Sequence, residues 1–161
     1  MGQTSLHQGF WIDTSALIDM TNYPQDVFSK LWRDMGLIAD NGLLISPKEV
    51  YNEIGREYEE DLQKWIYSHL GMFIPLDEDQ FKIAQSIIND FSGLVDISKS
   101  IPDADPFVIA LAHSKGGWIV VTSESISKNK YKPNIPNVCK CLDIRCIKLL
   151  DLFRECKFHY D

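Results

Sequence analysis

Short, unbroken apolar runs alternate along this chain with longer stretches in which apolar residues recur every three or four positions. The runs are Phe10-Trp11-Ile12, Leu43-Leu44-Ile45, Met72-Phe73-Ile74 and Trp118-Ile119-Val120-Val121. A fifth, Ile144-Arg145-Cys146-Ile147, carries one charge. Runs this short and this apolar predict strands buried on both faces. The periodic stretches predict helices. One runs from about Asp26 to Asp40, with Val27, Phe28, Leu31, Trp32, Met35 and Ile38 on its inner face and Asn41-Gly42 as its stop. Another lies near Glu60–His69. A long one starts at Asp77 and turns Phe81, Ala84, Ile87, Ile88 and Phe91 inward.

The termini of the remaining helices are marked by side chains. Thr14 or Ser15 is expected to cap a short helix through Ala16–Met20. Ser46, Pro47 and Glu49 fit a capping box, with serine at the N-cap and proline at the first helical position. Residues 93–102 form a loop. Asp103-Ala104-Asp105-Pro106 then opens a strongly apolar helix, Phe107 to about Ser114, ended by Gly116-Gly117. A short helix starts near Pro136, and Leu149–Cys156 closes the chain.

Strands alternating with helices predict a parallel sheet covered on both faces. The expected fold is a three-layer α/β/α sandwich with a short, mainly parallel central sheet. No repeat or Pro/Gly/Ser-rich linker divides the chain, so residues 1–161 read as a single domain, with 1–8 as an N-terminal extension.

In such sheets, ligands sit beyond the carboxyl ends of the strands. Asp13 directly follows the first apolar run, and Glu124 closes Trp118-Ile119-Val120-Val121-Thr122-Ser123-Glu124. Both are expected at one edge of the sheet. Glu53 lies on the helix after the second strand, and Asp105 in the first turn of the apolar helix. Each acid also has a purely structural reading. Asp13, Asp103 and Asp105 suit helix caps, and Glu53 suits a solvated helix face beside Glu49 and Glu57.

The ordered set resembles the PIN-domain superfamily. Strand–Asp–Ser/Thr is matched by Ile12-Asp13-Thr14-Ser15. Glu before an aliphatic residue is matched by Glu53-Ile54, Asp before an Ile/Ala-rich helix by Asp105 to Ala112, and strand–Thr–x–acid by Val120-Val121-Thr122-Ser123-Glu124. Two features depart from the common pattern. Glu124 stands where Asp is usual, and the segment between Glu53 and Asp105 is longer than in the smallest members. The resemblance implies a PIN-like fold and a metal-dependent ribonuclease, the toxin of a toxin–antitoxin pair. It also implies an antitoxin protein and a homodimer as partners.

Carboxylate oxygens suit Mg2+ or Mn2+, which retain waters and accept phosphate oxygens. Asp13 and Asp105 are expected as direct ligands. Glu53 and Glu124 would bind a second metal or hold waters. Thr14, Ser15 and Thr122 would orient carboxylates or waters, and Asp103 would join them or cap the helix. Lys128, Lys130, Tyr131 and Lys132 form a basic, aromatic stretch suited to RNA phosphate and base contacts, or simply a solvated loop. The alternative function is a non-catalytic PIN-like module that binds protein or RNA. An aspartyl-nucleophile phosphatase is disfavoured, because Ser15 occupies the place of its usual second Asp.

The remaining composition adjusts this picture. The formal net charge of −7 is unlike a generic nucleic-acid binder, although clustered acids in a metal site add to such a count. Cys139, Cys141, Cys146 and Cys156 lack a CxxC pair, so zinc is disfavoured, and Cys146 reads as part of a buried strand. The N-terminus lacks a basic region followed by an apolar run, and no stretch reaches the roughly 20 apolar residues of a membrane span. A soluble, cytoplasmic protein without membrane contact is expected.

Overall fold

The computed structural model describes residues 8–55, 58–100 and 102–160. Of the expected extension over 1–8, only Gln8 falls within them. His7 and Glu57 also lie outside the described residues.

Five strands form one parallel sheet: β1 (Phe10–Ile12), β2 (Leu44–Pro47), β3 (Phe73–Ile74), β4 (Ile119–Val121) and β5 (Cys146–Ile147). Their order is β3-β2-β1-β4-β5. The chain thus starts in the middle, builds outward to β3, and then returns to build the other side. The order reverses between β1 and β4, and that crevice is where open α/β sheets place their ligands. Phe10, Trp11 and Ile12 pair with Ile119, Val120 and Val121, so β1 and β4 end level with each other.

Eight helices flank the sheet among the described residues, giving the three-layer α/β/α sandwich. They are α1 (Thr14–Asp19), α2 (Ser29–Asp40), α3 (Lys48–Ile54), α4 (Glu60–Ser68), α5 (Glu78–Asp90), α6 (Asp105–Ser114), α7 (Ile135–Cys141) and α8 (Leu149–Glu155). α6 is apolar on nearly every face and buries Pro106 and Val108 through Ala112. A helix with no polar face belongs inside the core. It packs on β1, β2, β4 and α5, which holds its N-terminus near the carboxyl ends of the central strands.

Several local expectations are corrected. Asp13 itself caps α1, accepting the Ala16 N–H at 2.9 Å, so the cap is neither Thr14 nor Ser15. Ser46 does not open a capping box, because it lies in β2 and its hydroxyl donates to the Ile12 carbonyl at 2.7 Å. That bond ties the end of β2 to the end of β1. α2 starts at Ser29, leaving Val27 69% exposed and Phe28 at the surface. Phe81, expected in the core, is also exposed and packs edge-on against Phe107. Trp32 enters the core, where Trp65 packs edge-on against it. β5 is a half-buried edge strand instead of a buried one. No helix is long and apolar enough to cross a membrane among the described residues.

Candidate metal centre

Asp13 is the most tightly held acid. Its backbone N–H extends the sheet by donating to the Val121 carbonyl at 3.0 Å, and its side chain is buried at the mouth of the β1–β4 crevice. Thr122, the residue after β4, donates its hydroxyl to Asp13 Oδ2 at 2.7 Å. The Ser15 hydroxyl lies 2.9 Å from both carboxylate oxygens and 3.1 Å from Thr122 Oγ1. Ser15 in turn accepts the Ser123 N–H, and Thr122 accepts the Glu124 N–H. The two hydroxyls therefore fix Asp13 and the backbone that presents Glu124. Burial pushes the Asp13 carboxyl up to about 7, against the opposing pull of the Ala16, Thr122 and Ser15 donors.

Asp105 is the first residue of α6, and Ala104 stands at the N-cap without a side-chain bond. Neither Asp103 nor Asp105 is thus the cap. The Asp105 carboxylate accepts no hydrogen bond among the described residues. Burial, and then the charges of Glu124, Asp13, Glu53 and Asp103, push its carboxyl up to about 9. Near neutral pH, without a cation, this group keeps its proton.

One carboxylate oxygen from each of Asp13, Asp105 and Glu124 lies within 4.8 Å of the other two. Ligands of one octahedral Mg2+ stand about 3 Å apart when adjacent and about 4.2 Å when opposed, so the three oxygens would draw together around an ion. Glu124 uses Oε2 to accept the Ile135 N–H at the start of α7, leaving Oε1 uncommitted among the described residues. The donor set is all hard oxygen, Asp105 has no donor of its own, and Glu124 has a free oxygen. These groups fit a divalent cation of the Mg2+ or Mn2+ kind.

Glu53 stands apart from this trio. Its Oε2 accepts the Ala104 N–H at 2.8 Å, so it holds the turn from which Asp105 projects. Asp103 is occupied on both oxygens, by Lys99 Nζ at 2.6 Å and the Asp96 N–H at 2.7 Å. It anchors Asp96 and Lys99. Among the described residues, Thr14 Oγ1 is buried without a partner and bonds to none of the acids, so among the hydroxyls the orienting role falls to Ser15 and Thr122.

The acids open into a groove of about 700 Å³, whose lining includes Glu53, Asp103, Asp105 and Glu124 together with Tyr131 and Lys132. Tyr131 is 75% exposed, with Lys130 Nζ 5.1 Å from its ring centre. Lys128 and Lys130 do not line the groove. Gly93 backs this loop, and a Cβ at that position would collide with the Tyr131 carbonyl.

Lys148, at the N-cap of α8, escaped the sequence reading. Its ammonium donates to the Ser123 carbonyl at 2.8 Å, the Glu124 carbonyl at 2.7 Å and Ser125 Oγ at 2.9 Å. It clamps the segment that carries Glu124. Its place directly after a strand is the rule that found Asp13, but a search restricted to acids passes over it. The four cysteines are free thiols.

A family described as "Domain of unknown function (DUF4411)" matches residues 10–160. The chain is similar in structure to PAE2754 from Pyrobaculum aerophilum, known from a crystal structure, at 16% identity and a TM-score of 0.44. The likeness covers 84% of this chain and 97% of that one. No curated protein matches.

Proposed function

The chain belongs to the DUF4411 family, and we propose that it is a PIN-like, divalent-metal-dependent ribonuclease that hydrolyses RNA phosphodiester bonds. The observation that carries this reading is the convergence of Asp13, Asp105 and Glu124 at the β1–β4 crevice. Burial raises the carboxyls of Asp13 and Asp105, and the repulsion of acids held this close without a cation adds to it. The order of the four sequence motifs supports the PIN-like placement, because they fall after β1, on α3, at the start of α6 and after β4.

Asp13, Asp105 and Glu124 would hold Mg2+ or Mn2+. When bound, the ion neutralises phosphate charge and lowers the pKa of a coordinated water for in-line attack. The chain's own residues prepare this arrangement. Ser15 and Thr122 aim Asp13 and keep it from rotating. Glu53 fixes the Ala104 turn and so the direction of Asp105. Ile135 N–H holds one oxygen of Glu124 and so fixes that carboxylate beside its two neighbours. Asp105 would hold the ion as a carboxylate, so binding would require it to release the proton that burial favours. Lys132 offsets phosphate charge in the groove, and Tyr131 offers a ring to a base.

The test is incubation of mixed RNAs with the protein and Mn2+ or Mg2+, beside chelator controls and the variants Asp13→Asn and Asp105→Asn. Cleavage is expected only with metal and only with both acids intact. Cleavage that persists in chelator and in both variants would overturn the reading. The second reading is a PIN-like module that binds protein or RNA without cutting, and the net charge of −7, which counts against RNA, favours its protein-binding form. No cleavage, together with no metal-induced rise in melting temperature, would support it.

A further inference from the structure

A second cavity, of about 760 Å³, adjoins the acidic groove, and Glu53 lines both. Its character differs from that of its neighbour. Glu53 is the one charged residue on its wall among the described residues, whereas Tyr51, Tyr58 and Tyr67 line it together with Ile66 and Asn52. Tyr67 is 60% exposed, and Tyr58 is also at the surface. Tyr51 is half-buried and tilted against Phe73, with ring centres 5.5 Å apart, which fixes its plane. None of the three phenol hydroxyls, nor the Asn52 side-chain amide, has a hydrogen-bond partner among the described residues. Among the described residues, the wall thus offers several aromatic faces and unclaimed polar groups, with Glu53 as its one charge.

We propose that this cavity is a nucleobase-binding subsite, which takes one unstacked base of the RNA strand whose phosphate lies at the acids. The proposal rests on the ribonuclease reading. The occupant follows from the lining. A phosphate is disfavoured by Glu53, which both cavities share, and meets no cation among the described residues of the wall. An aliphatic ligand would leave four polar groups unanswered. A base is planar, uncharged and edged with donors and acceptors, so it stacks on a tyrosine and meets the hydroxyls and amide at its rim. A paired base cannot enter, so the site selects single-stranded RNA, one or more nucleotides from the scissile bond.

The test uses a fluorescein-labelled 12-nucleotide single-stranded RNA, and the same RNA with one abasic residue at each position in turn. Binding is read by anisotropy in Ca2+, and cleavage in Mn2+. The proteins are the full chain and its Tyr67→Ala, Tyr58→Ala and Tyr67→Phe variants, substituted at exposed rings so that folding is preserved. Loss of one stacking ring is expected to weaken binding at least about fivefold. Tyr67→Phe should retain the stacking part. One abasic position should cost the full-length protein affinity and cost Tyr67→Ala nothing further. If both alanine variants bind within twofold of the parent while the parent cuts RNA, the subsite is wrong and the nuclease reading stands. If they lose binding and nothing is cut, the subsite stands and the nuclease reading is wrong. If the parent neither binds nor cuts, both are wrong.

Discussion

Thr122 Oγ1 donates to Asp13 Oδ2 at 2.7 Å, joining two residues 109 positions apart at the ends of adjacent parallel strands. That one bond registers β1 against β4 at their carboxyl ends. It also places an aspartate where its burial is tolerated, because Ala16 and Ser15 supply further donors. Thr122→Val keeps the shape and removes the hydroxyl. Thermal stability should fall by about 1 kcal/mol, the usual net worth of such a bond, with more lost if Asp13 keeps a negative charge. Mn2+ affinity should fall about tenfold, as when a partner that orients a ligand is removed. Calorimetry with and without Mn2+ separates the two effects. Equal losses in both conditions would mean that Thr122 serves the fold alone.

The raised carboxyls of Asp13 and Asp105 set a pH dependence whose sign is fixed. Both folded-state values, about 7 and about 9, lie above the ordinary 3.8. The folded protein therefore keeps protons that the unfolded chain releases. Their stabilisation is present at pH 4 and is lost as pH rises through about 7 and about 9. In chelator, the melting temperature should decline from pH 5 to 9, and Asp105→Asn should flatten the upper part of that decline. At pH 8, Asp105→Asn should melt higher than the parent without metal, by about 2–4 °C for each kcal/mol relieved. An unchanged profile in the variant would contradict the assignment.

Much of this was legible before any coordinates. Strands of three apolar residues, each ending in a polar residue, put Asp13 and Glu124 at one edge of a parallel sheet, and the register of β1 with β4 places them there. What the sequence hides is which atoms are already spoken for. The sequence ranks Asp105 above Glu53 and Asp103 as a ligand but does not show whose oxygens are taken. Glu53 is committed to the Ala104 N–H and Asp103 to Lys99 and Asp96. Ser46 reads as a helix cap because Ser-Pro is a capping pattern, yet β2 extends far enough to claim it. Phe81 follows a helical period but faces outward beside Phe107, since propensity and spacing do not tell which side of α5 is covered.

Lys148 holds three acceptors on the segment that carries Glu124. Lys148→Met keeps the aliphatic stem and removes the donor. Hydrogen exchange should quicken at 123–125 while α2 and α4 stay protected, and Mn2+ affinity should fall about fivefold, near 1 kcal/mol. Exchange unchanged at 123–125 would show that the clamp does not restrain the segment.

Gly93 backs the Tyr131 loop so closely that a methyl group has no room. Gly93→Ala should destabilise the fold by about 1–3 kcal/mol, the usual cost of overpacking. It should also weaken RNA binding, because Tyr131 and Lys132 are displaced from the groove wall, while Mn2+ binding stays within twofold. A parallel loss of metal binding would place the effect in the acids instead of the loop.

The central claim is that Asp13, Asp105 and Glu124 form one divalent-cation site. Titration calorimetry with Mn2+, run at pH 8 in two buffers of different ionisation enthalpy, tests it most directly. Saturable binding is expected, with about one proton released per ion, because Asp105 is largely protonated at that pH and must ionise to bind. Asp105→Asn should weaken binding at least about tenfold and abolish the proton release. Saturable binding that the variant leaves intact, or no saturable binding by the parent protein, would contradict the claim.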